Sequence, residues 1–210
     1  MRVVIIGAGS TSEIVSEIIL SNRDYTLVGI VGSKEEAKKY KELENKAINS
    51  IPFLGDRAIL SELPSLGVNS FIVAIGDNYI REKIFYEAIS KGLKAINAIS
   101  RNTIIDKNVN IGSGTIIKSG TIISKNTLIG DNCLIDNGVI IETKCNVLNN
   151  CNINSGAVIG SNSQISKNVE IGIRSVISKE IHIGKNQKIK PNEVVYKNLP
   201  DLFRPNHNAK

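Results

Sequence analysis

Residues 129–147 read IGDNCLIDNGVIIETKCNV, and within this stretch an aliphatic residue returns at every sixth position. The same spacing runs from Ile105 to Ile189, where every sixth residue is isoleucine except for Val147. A helix requires apolar residues three and four positions apart, and an ordinary strand alternates at every second position, so neither explains this period. A short fixed repeat dictates the architecture of the whole segment. The spacing predicts a parallel β-helix built from hexads.

Small or β-branched residues occupy the position four residues after each of these isoleucines. They are Val109, Thr115, Thr121, Thr127, Cys133, Val139, Cys145, Cys151, Ala157, Ser163, Val169 and Ser175. Such residues fit an inward corner where a bulkier side chain would clash. Each hexad therefore offers one large and one small inward residue. The three cysteines are expected to be core residues in a reducing compartment, and no spacing typical of a zinc site is present.

Composition limits the classes of function. The chain has 210 residues, 41% hydrophobic content and a net charge of +6, which suits one or two domains with an anionic ligand. The charge is scattered and aromatic residues are only 4%, whereas nucleic-acid binding needs a clustered basic face or stacking aromatics. No run approaches the ~20 apolar residues of a membrane span, and the first apolar run is too short for a secretory signal. We therefore expect a cytoplasmic protein that binds neither nucleic acid nor membrane.

A different domain precedes the repeat. Arg2–Ile6 is a short strand of the buried type, and the turn Gly7-Ala8-Gly9-Ser10 leads into a helical pattern. A strand, a glycine-rich turn and a helix start form an anion site, because backbone N–H groups and the helix dipole face the ligand. A tight turn with no ligand is the alternative. Ser12 stands where a dinucleotide site would have a third glycine, and no acidic residue directly follows the strand Thr26–Val31, so NAD is not expected.

The rest of this half alternates strands and helices. We predict helices over about 34–46 and 79–92, strands over 70–75 and 94–98, and a short helix after Phe53-Leu54-Gly55-Asp56. The predicted fold class is an α/β Rossmann-like parallel-sheet domain in residues 1–99. The β-helix follows in residues 100–190, and a C-terminal tail covers residues 191–210.

Several segments together resemble the NeuD/PglD-type sugar acetyltransferases, a family of hexapeptide-repeat acyltransferases. They are Gly7-Ala8-Gly9, Phe53-Leu54-Gly55-Asp56, Val73-Ala74-Ile75-Gly76-Asp77-Asn78-x-x-Arg81 and the hexads. The resemblance covers nearly the whole chain. It implies a left-handed β-helix with three hexads per coil, and acetyl-CoA as the donor with no metal. It also implies a nucleotide-linked amino sugar or a sialic-acid-type sugar as the acceptor, and a homotrimer that binds the donor between subunits.

The resemblance also assigns residues to the ligands. The turn Gly7, Ala8, Gly9 and Ser10 would cradle the nucleotide phosphates. Gly76, Asp77, Asn78 and Arg81 would lie at the adjacent strand end, where open α/β sheets bind ligands, although Arg81 serves equally well in a structural ion pair. Asn137, Asn152 and Gly160 would contact the acceptor or acetyl-CoA.

The chain departs from the family at its catalytic pair, a histidine followed by an acidic residue. Those positions hold Thr143 and Lys144, and a second family histidine aligns with Asn152. The only histidines are His182, about two coils further along, and His207 in the polar tail. Glu142 is the nearest carboxylate and the best substitute for the base that removes the acceptor's proton. A solvated surface glutamate is the alternative.

Three hypotheses therefore remain open. In the first, the protein is a sugar N- or O-acetyltransferase in which Glu142, Thr143 and Lys144 form the reaction site. In the second, it is a non-catalytic trimer that binds a nucleotide sugar or serves in assembly. In the third, it transfers an acyl group other than acetyl.

Overall fold

The computed structural model describes residues 1–36, 38 and 51–203. These residues form two compact units. The first unit comprises Met1–Ile99 together with Ser113–Ile116, and the second comprises Ser100–Gly112 and the chain from Ile117 onward.

The first unit contains a five-stranded parallel sheet with the strand order β3-β2-β1-β4-β5. Its strands are β1 Arg2–Ile6, β2 Thr26–Gly32, β3 Phe53–Asp56, β4 Ser70–Val73 and β5 Lys94–Ala95. Its helices are α1 Ser10–Leu20 and α2 Asn78–Ser90, with two short 3₁₀ helices at Arg57–Ser61 and Leu63–Leu66. The predicted helix over 34–46 begins as expected at residues 34–36, and most of it lies outside the described residues.

The sheet is buried because its central strands are almost continuously apolar. Residues 3–6 of β1 and 71–73 of β4 have no exposed surface, which is typical of parallel strands covered on both faces. Phe71 and Phe85 pack against each other in the same core with ring centroids 5.8 Å apart. The chain connects β1 to β2 on one side and places β4 on the other side of β1. Open sheets bind ligands at such a switch point, outside the carboxyl ends of the strands.

The repeat folds into two-residue strands that stack into three parallel sheets. The strands begin with β6 Ala98–Ile99 and then follow one per hexad. They are β7 Ile104–Ile105, β8 Asn110–Ile111, β9 Ile116–Ile117, β10 Ile122–Ile123, β11 Leu128–Ile129, β12 Leu134–Ile135, β13 Ile140–Ile141, β14 Asn146–Val147, β15 Asn152–Ile153, β16 Val158–Ile159, β17 Gln164–Ile165, β18 Glu170–Ile171, β19 Val176–Ile177, β20 His182–Ile183, β21 Lys188–Ile189 and β22 Val194–Val195.

Each strand pairs with the strand eighteen residues away, as Ile123 does with Ile141. Three hexads therefore make one coil. We name the three sides of this stack by their outward residues. The apolar face holds β7, β10, β13, β16, β19 and β22, the polar face holds β8, β11, β14, β17 and β20, and the third face holds β6, β9, β12, β15, β18 and β21. The predicted fold class, a Rossmann-like sheet followed by a left-handed parallel β-helix, is confirmed.

The interior of the stack follows the two regularities of the sequence. From Ile117 to Ile189 each residue of the six-residue series is at most 4% exposed. The small inward residues also satisfy a second requirement, because their hydroxyls and thiols donate to a carbonyl oxygen fifteen residues later. Thr121 donates to Asp136 and Cys145 donates to Gly160 in this way. All three cysteines are buried, and none forms a disulfide.

The turns between strands use a left-handed residue once per hexad. The series runs from Asn108 to Asn192 and consists of asparagine or glycine, which adopt positive φ with little strain, at all but three positions. The three exceptions are Lys144, Arg174 and Glu180. The turn period thus adds a third regularity to the hexad. Within the predicted reaction site, Lys144 keeps the left-handed backbone but replaces the usual asparagine or glycine.

The stack continues beyond the last isoleucine of the series, into the residues assigned to a tail. Strand β22 pairs with β19, and the backbone at Leu199 forms a parallel bridge with Ile183. Phe203 is the last described residue, so His207 lies outside the described part of the chain. Within the described residues, no helix has the length and apolar character needed to cross a membrane.

Candidate active site

The glycine-rich turn after β1 lies at the carboxyl edge of the sheet, as the sequence predicts. Gly7 has a φ of 116°, and a Cβ there would lie 2.8 Å from the carbonyl oxygen of Ala74. Glycine is therefore required for the turn to pass the end of β4. Gly9 is the N-cap residue of α1, with no side-chain hydrogen bond capping the helix, and Ser10 is its first residue. The helix N-terminus directs its partial positive charge to this edge of the sheet.

A carboxylate already contacts this turn. Glu36 accepts a hydrogen bond from the backbone N–H of Ala8 at 3.0 Å and another from Ser33 at 2.7 Å. The Ser33 hydroxyl in turn accepts from the N–H of Glu36, which completes a capping box at the helix that begins at residue 34. An anionic phosphate at Ala8 would have to replace Glu36 or bind beside it. The assignment of this turn to phosphates stays a prediction.

Sequence reasoning missed Glu36. An acidic residue was expected directly after β2, where Gly32-Ser33 stands, whereas the carboxylate that reaches this place comes three residues later. The pattern Ser33-Lys34-Glu35-Glu36 was a usable signal, because Ser-x-x-Glu identifies a capping box. Glu36 also accepts a hydrogen bond from the N–H of Ala8, and this contact links the turn after β1 to the turn after β2.

Two adjoining cavities open at this edge of the sheet. The smaller has a volume of about 260 Å³ and is mainly apolar, with Ile6, Ile75 and Ile84 among its walls and Glu36 at its margin. The larger has a volume of about 530 Å³ and is lined by charged groups that include Lys34 and Lys91. Both share Gly32, Ser33 and Arg57 in their walls. Together they can hold an apolar ring beside a charged group.

The second predicted segment closes the same edge. The Asp77 carboxylate accepts hydrogen bonds from the N–H groups of Tyr79 and Ile80, both at 2.9 Å, and so caps α2. Asn78 is buried, and a Cβ on Gly76 would meet open space. Arg81 is fully buried and donates to the carbonyl oxygens of Ile75 and Gly76 at 3.0 and 3.1 Å. Arg81 therefore holds the loop, and its contact with a ligand stays a prediction.

In the second unit, Glu142 lies in the turn from the apolar face to the polar face. We call this turn, with residues 142–145 and the turn stacked on it at residues 160–163, the Glu142 corner. One carboxylate oxygen of Glu142 accepts hydrogen bonds from the hydroxyl of Ser161 at 2.7 Å and from its N–H at 2.9 Å. The hydroxyl, followed by the N–H, lowers the pKa of Glu142. The carboxylate is therefore ionised at neutral pH but is a weaker base than an ordinary glutamate.

The neighbours of Glu142 in this turn differ in character. Thr143 is half-buried, and Lys144 is exposed with a φ of 58°. Burial raises the pKa of the Cys145 thiol, whose sulfur donates to the carbonyl oxygen of Gly160 at 3.2 Å. A protonated thiol turned into the stack is not a nucleophile. The corner therefore offers a carboxylate, a hydroxyl and an ammonium group.

The other predicted residues of the β-helix lie elsewhere in the coil. Asn137 is exposed in the turn from the third face to the apolar face, and Asn152 is a buried outward residue of the third face. Gly160 belongs to the Glu142 corner. One chain therefore brings Gly160 to Glu142 but leaves Asn137 and Asn152 at other sides of the stack.

His182 lies on the polar face rather than at the Glu142 corner. Its Nε2 and the hydroxyl of Ser166 are 3.0 Å apart. In the described part of the chain no group of three or more His, Cys, Asp and Glu side chains is arranged to hold a metal ion.

Two family models match the chain. The PglD N-terminal domain matches residues 2–88, and the GMPPB C-terminal domain matches residues 98–200. No curated protein matches the sequence.

Solved structures match over almost the full length. PerB from Caulobacter crescentus, in complex with CoA and GDP-perosamine, is 25% identical, with a TM-score of 0.87 over 96% of this chain and 92% of that one. A perosamine N-acetyltransferase mutant from the same organism, with a histidine replaced by asparagine and the same two ligands, is 25% identical with a TM-score of 0.86 over 96% and 91%. The acetyltransferase domain of PglB from Neisseria gonorrhoeae FA1090, in complex with acetyl coenzyme A, is 21% identical with a TM-score of 0.83 over 95% and 93%. At that identity the last match shows the fold alone.

Proposed function

We propose that the chain is a sugar acetyltransferase of the NeuD/PglD type, which transfers an acetyl group from acetyl-CoA to the amino group of a nucleotide-linked sugar. The cytoplasm is the proposed compartment, since it supplies acetyl-CoA and nucleotide sugars. The observation that carries the proposal is the match to PerB, which contains CoA and GDP-perosamine and aligns with 96% of this chain. Both halves of the chain take part in that match.

The nucleotide sugar is proposed to bind at the carboxyl edge of the sheet. The two cavities there adjoin the turns at Gly7 and Gly32, and the smaller one is large and apolar enough for a nucleobase. The N-terminus of α1, at Gly9 and Ser10, favours the negative charge of a diphosphate. Gly76, Asp77 and Asn78 close the edge beside it. Glu36 then lies beside the ligand as a hydrogen-bond acceptor.

The functional protein is proposed to be a homotrimer. The outward residues of the apolar face are aliphatic in every one of its six strands: Ile104, Ile122, Ile140, Val158, Val176 and Val194. Three of them, Ile104, Ile140 and Val194, are exposed in the single chain. A contiguous apolar strip of this kind is typical of an interaction surface. A second copy fits it because its own strip has the same ~4.8 Å repeat.

Acetyl transfer is proposed to take place at the Glu142 corner. An amine acceptor suits this corner because a neutral amine attacks the thioester carbonyl before it loses a proton, so a strong base is not needed for the attack. Thr143 and Lys144 can donate hydrogen bonds to the oxygen that becomes negative in the transition state. Asn137, Asn152 and Gly160 are proposed to contact the acceptor or CoA.

A second candidate function has one observation in its favour. Thr143 and Lys144 stand where the family has its histidine and acidic residue. A trimer that binds a nucleotide sugar without turning it over would retain the sheet edge and the apolar face. Transfer of a different acyl group would leave the same residues in place.

Ligand-induced stabilisation separates these candidates. A ligand that binds only the folded state raises the free energy of unfolding, by about 2.7 kcal/mol at a hundred times its Kd. The acetyltransferase proposal predicts that GDP- or UDP-linked 4-amino sugars and acetyl-CoA each raise the melting temperature. Stabilisation by the nucleotide sugar, with none by saturating acetyl-CoA, would favour the non-catalytic binding protein. A larger shift with another acyl-CoA would indicate a different donor.

A further inference from the structure

The smaller cavity at the carboxyl edge of the sheet has an apolar wall that is open to a ligand. Ile75, which comes two residues after β4, forms this wall together with Ile80 and Ile84 of α2. Ile80 is 51% exposed, so part of the wall is uncovered apolar surface. A flat ring can cover such a surface with its face and keep the polar groups of its edge for other contacts.

Two groups of opposite charge line the same cavity. Arg57 directly follows β3, and Glu36 lies over the end of the adjacent strand β2. A Cβ on Gly32 would lie 2.9 Å from Oε2 of Glu36, so glycine makes room for the carboxylate at this place. Among the described ion pairs, that of Arg57 is with Glu87 and not with Glu36. A guanidinium and a carboxylate are therefore both available to one ligand.

Glu36 is held in place and can still accept hydrogen bonds from a ligand. Its Oε1 accepts from the N–H of Ala8 at 3.0 Å, and its Oε2 accepts from the N–H of Ser33 at 2.7 Å. An ionised carboxylate has about four acceptor positions, so each oxygen can take a further hydrogen bond. Glu36 thus offers a ligand two acceptors side by side, and no proton has to be transferred.

Arg57 offers the complementary set of donors. Its contact with Glu87 is 3.6 Å, which is too long for a hydrogen bond, and its side chain is 38% exposed. The guanidinium has five N–H donors in a rigid fork, which matches two adjacent acceptors on one ligand. The O6 and N7 atoms of guanine are such a pair.

Guanine is the nucleobase whose edges match both groups at once. Its acceptors O6 and N7 adjoin its donors, the N1–H and the N2 amino group. Adenine has an amino group in place of O6, which would meet the donors of Arg57. Uracil has a single N–H between two carbonyl oxygens, so one oxygen of Glu36 would face an acceptor. Cytosine has acceptors beside its amino group, where Glu36 requires a second donor.

We propose that this cavity selects guanine, with Arg57 donating to O6 and N7 and Glu36 accepting from N1 and the N2 amino group, so that the substrate is a GDP-linked amino sugar. This inference rests on the proposed nucleotide-sugar site at the sheet edge and names its base. A different base would leave the charged groups of the site without their hydrogen bonds, and such a loss is what makes a polar site selective.

Nucleotide analogues test each contact on the unaltered protein. Each bidentate contact discriminates between bases by about 5- to 150-fold, so calorimetric titration should give a Kd for GDP at least about tenfold below those for UDP, ADP and CDP. IDP lacks the N2 amino group that Glu36 accepts from, and 7-deaza-GDP has a carbon in place of N7. Each of these two analogues should bind at least about fivefold more weakly than GDP.

Two variants assign these losses to the two residues. Arg57→Met removes the donor fork, so GDP and 7-deaza-GDP should bind it with equal affinity, while its preference for GDP over IDP persists. Glu36→Ala should bind GDP and IDP equally and keep its preference for GDP over 7-deaza-GDP. A residue that only supports the turns would weaken the binding of a nucleotide and its analogue alike, and their ratio would not change.

Each variant has a matched control. Glu87→Gln removes the ion-pair partner of Arg57 but leaves the guanidinium in place, so its preference for GDP over 7-deaza-GDP should match the wild type. Glu35→Ala removes the carboxylate next to Glu36, which lines the larger cavity and not the smaller one. Its preference for GDP over IDP should also match the wild type.

The outcomes separate the inference from the proposed function. A wild type that binds UDP as tightly as GDP would overturn the inference, and thiol release with UDP-linked amino sugars would then leave the acetyltransferase function intact. Equal affinity of the wild type for GDP and IDP, or analogue preferences that survive in Arg57→Met and Glu36→Ala, would also overturn it. Selective binding of GDP without thiol release from acetyl-CoA would support the guanine site and contradict acetyl transfer.

Discussion

At the scale of single residues, the contact between Glu142 and Ser161 defines the chemistry of its corner. The two hydrogen bonds favour the charged carboxylate, so the folded-state pKa of Glu142 lies below its usual value of 4.5. A depressed pKa stabilises the folded state above the unfolded-state value, and this stabilisation is lost as the pH falls through the folded-state value. The contact should therefore matter at neutral pH and vanish in acid.

Ser161→Ala tests this dependence. The variant removes the hydroxyl but keeps the N–H donor, so the pKa of Glu142 should rise toward 4.5. Because the side chain is exposed, we expect a loss of at most about 1 kcal/mol in the free energy of unfolding at pH 7. Urea unfolding at pH 7 and below the folded-state pKa, with the Glu142 carboxyl followed by NMR, provides the measurement. A destabilisation that is as large in acid as at neutral pH would contradict the account.

Single residues also show how far sequence reasoning reaches. The capping box at Ser33 and Glu36 is local and can be read from a four-residue pattern. The contact of Glu36 with Ala8 cannot be predicted from such a pattern. It joins residues 28 positions apart and depends on how β1 and β2 pair. Arg81 was predicted to lie beside the strand end, in the first turn of a helix, but its burial against two carbonyl oxygens depends on the packing of α2.

At the scale of elements, the hexads were predictable because each repeats the same local requirement. One large and one small inward residue per hexad specify the interior without knowledge of the rest of the fold. The number of hexads per coil is not contained in that period and came from the family resemblance. The aliphatic outward series Ile104, Ile122 and Ile140 has a period of eighteen residues, so it becomes visible only once three hexads are known to make a coil.

The end of the stack is closed by the segment after β22. The N–H of Gly184 donates to the carbonyl oxygen of Leu199 at 2.8 Å, and the N–H of Leu202 donates to that of Lys185 at 2.8 Å. A Cβ on Gly184 would overlap the backbone of Pro200 and Asp201. This segment covers the edge of β20, which would otherwise be open to pairing with another chain.

Gly184→Ala should displace this segment. The added methyl group overpacks the contact, which typically costs about 1–3 kcal/mol. Hydrogen exchange at the amides of Leu199 and Leu202 should accelerate, and the exposed edge should make the protein aggregate at lower temperature. Ser178→Ala, one hexad earlier at the same position of the repeat, is the control and should behave like the wild type. Unchanged hydrogen exchange at Leu199 and Leu202 in Gly184→Ala would contradict this account. It would show that the segment after β22 stays in place without the close contact between Gly184 and the backbone of Pro200 and Asp201.

At the scale of the whole molecule, the apolar face determines the oligomeric state that we propose. Ile140 lies in the middle of this face and is exposed in the single chain. A lysine there would place a charge in the centre of the interface, where leaving it unpaired is strongly unfavourable. Ile140→Lys should therefore shift the protein from trimer to monomer in light scattering and abolish acetyl transfer.

Gln164→Lys adds the same charge to the polar face and serves as the control for Ile140→Lys. It should remain trimeric and active. A wild-type protein that is monomeric at all concentrations would contradict the proposed interface.

Acetyl transfer itself is the central claim, and the appearance of free CoA thiol measures it directly. The purified wild-type protein is incubated with acetyl-CoA and a nucleotide-linked 4-amino sugar, and the thiol and the sugar product are followed together. The account predicts thiol release that depends on the sugar and equals the amount of N-acetylated product by mass spectrometry. Binding of both ligands without thiol release above the uncatalysed rate would contradict it and leave a non-catalytic binding protein.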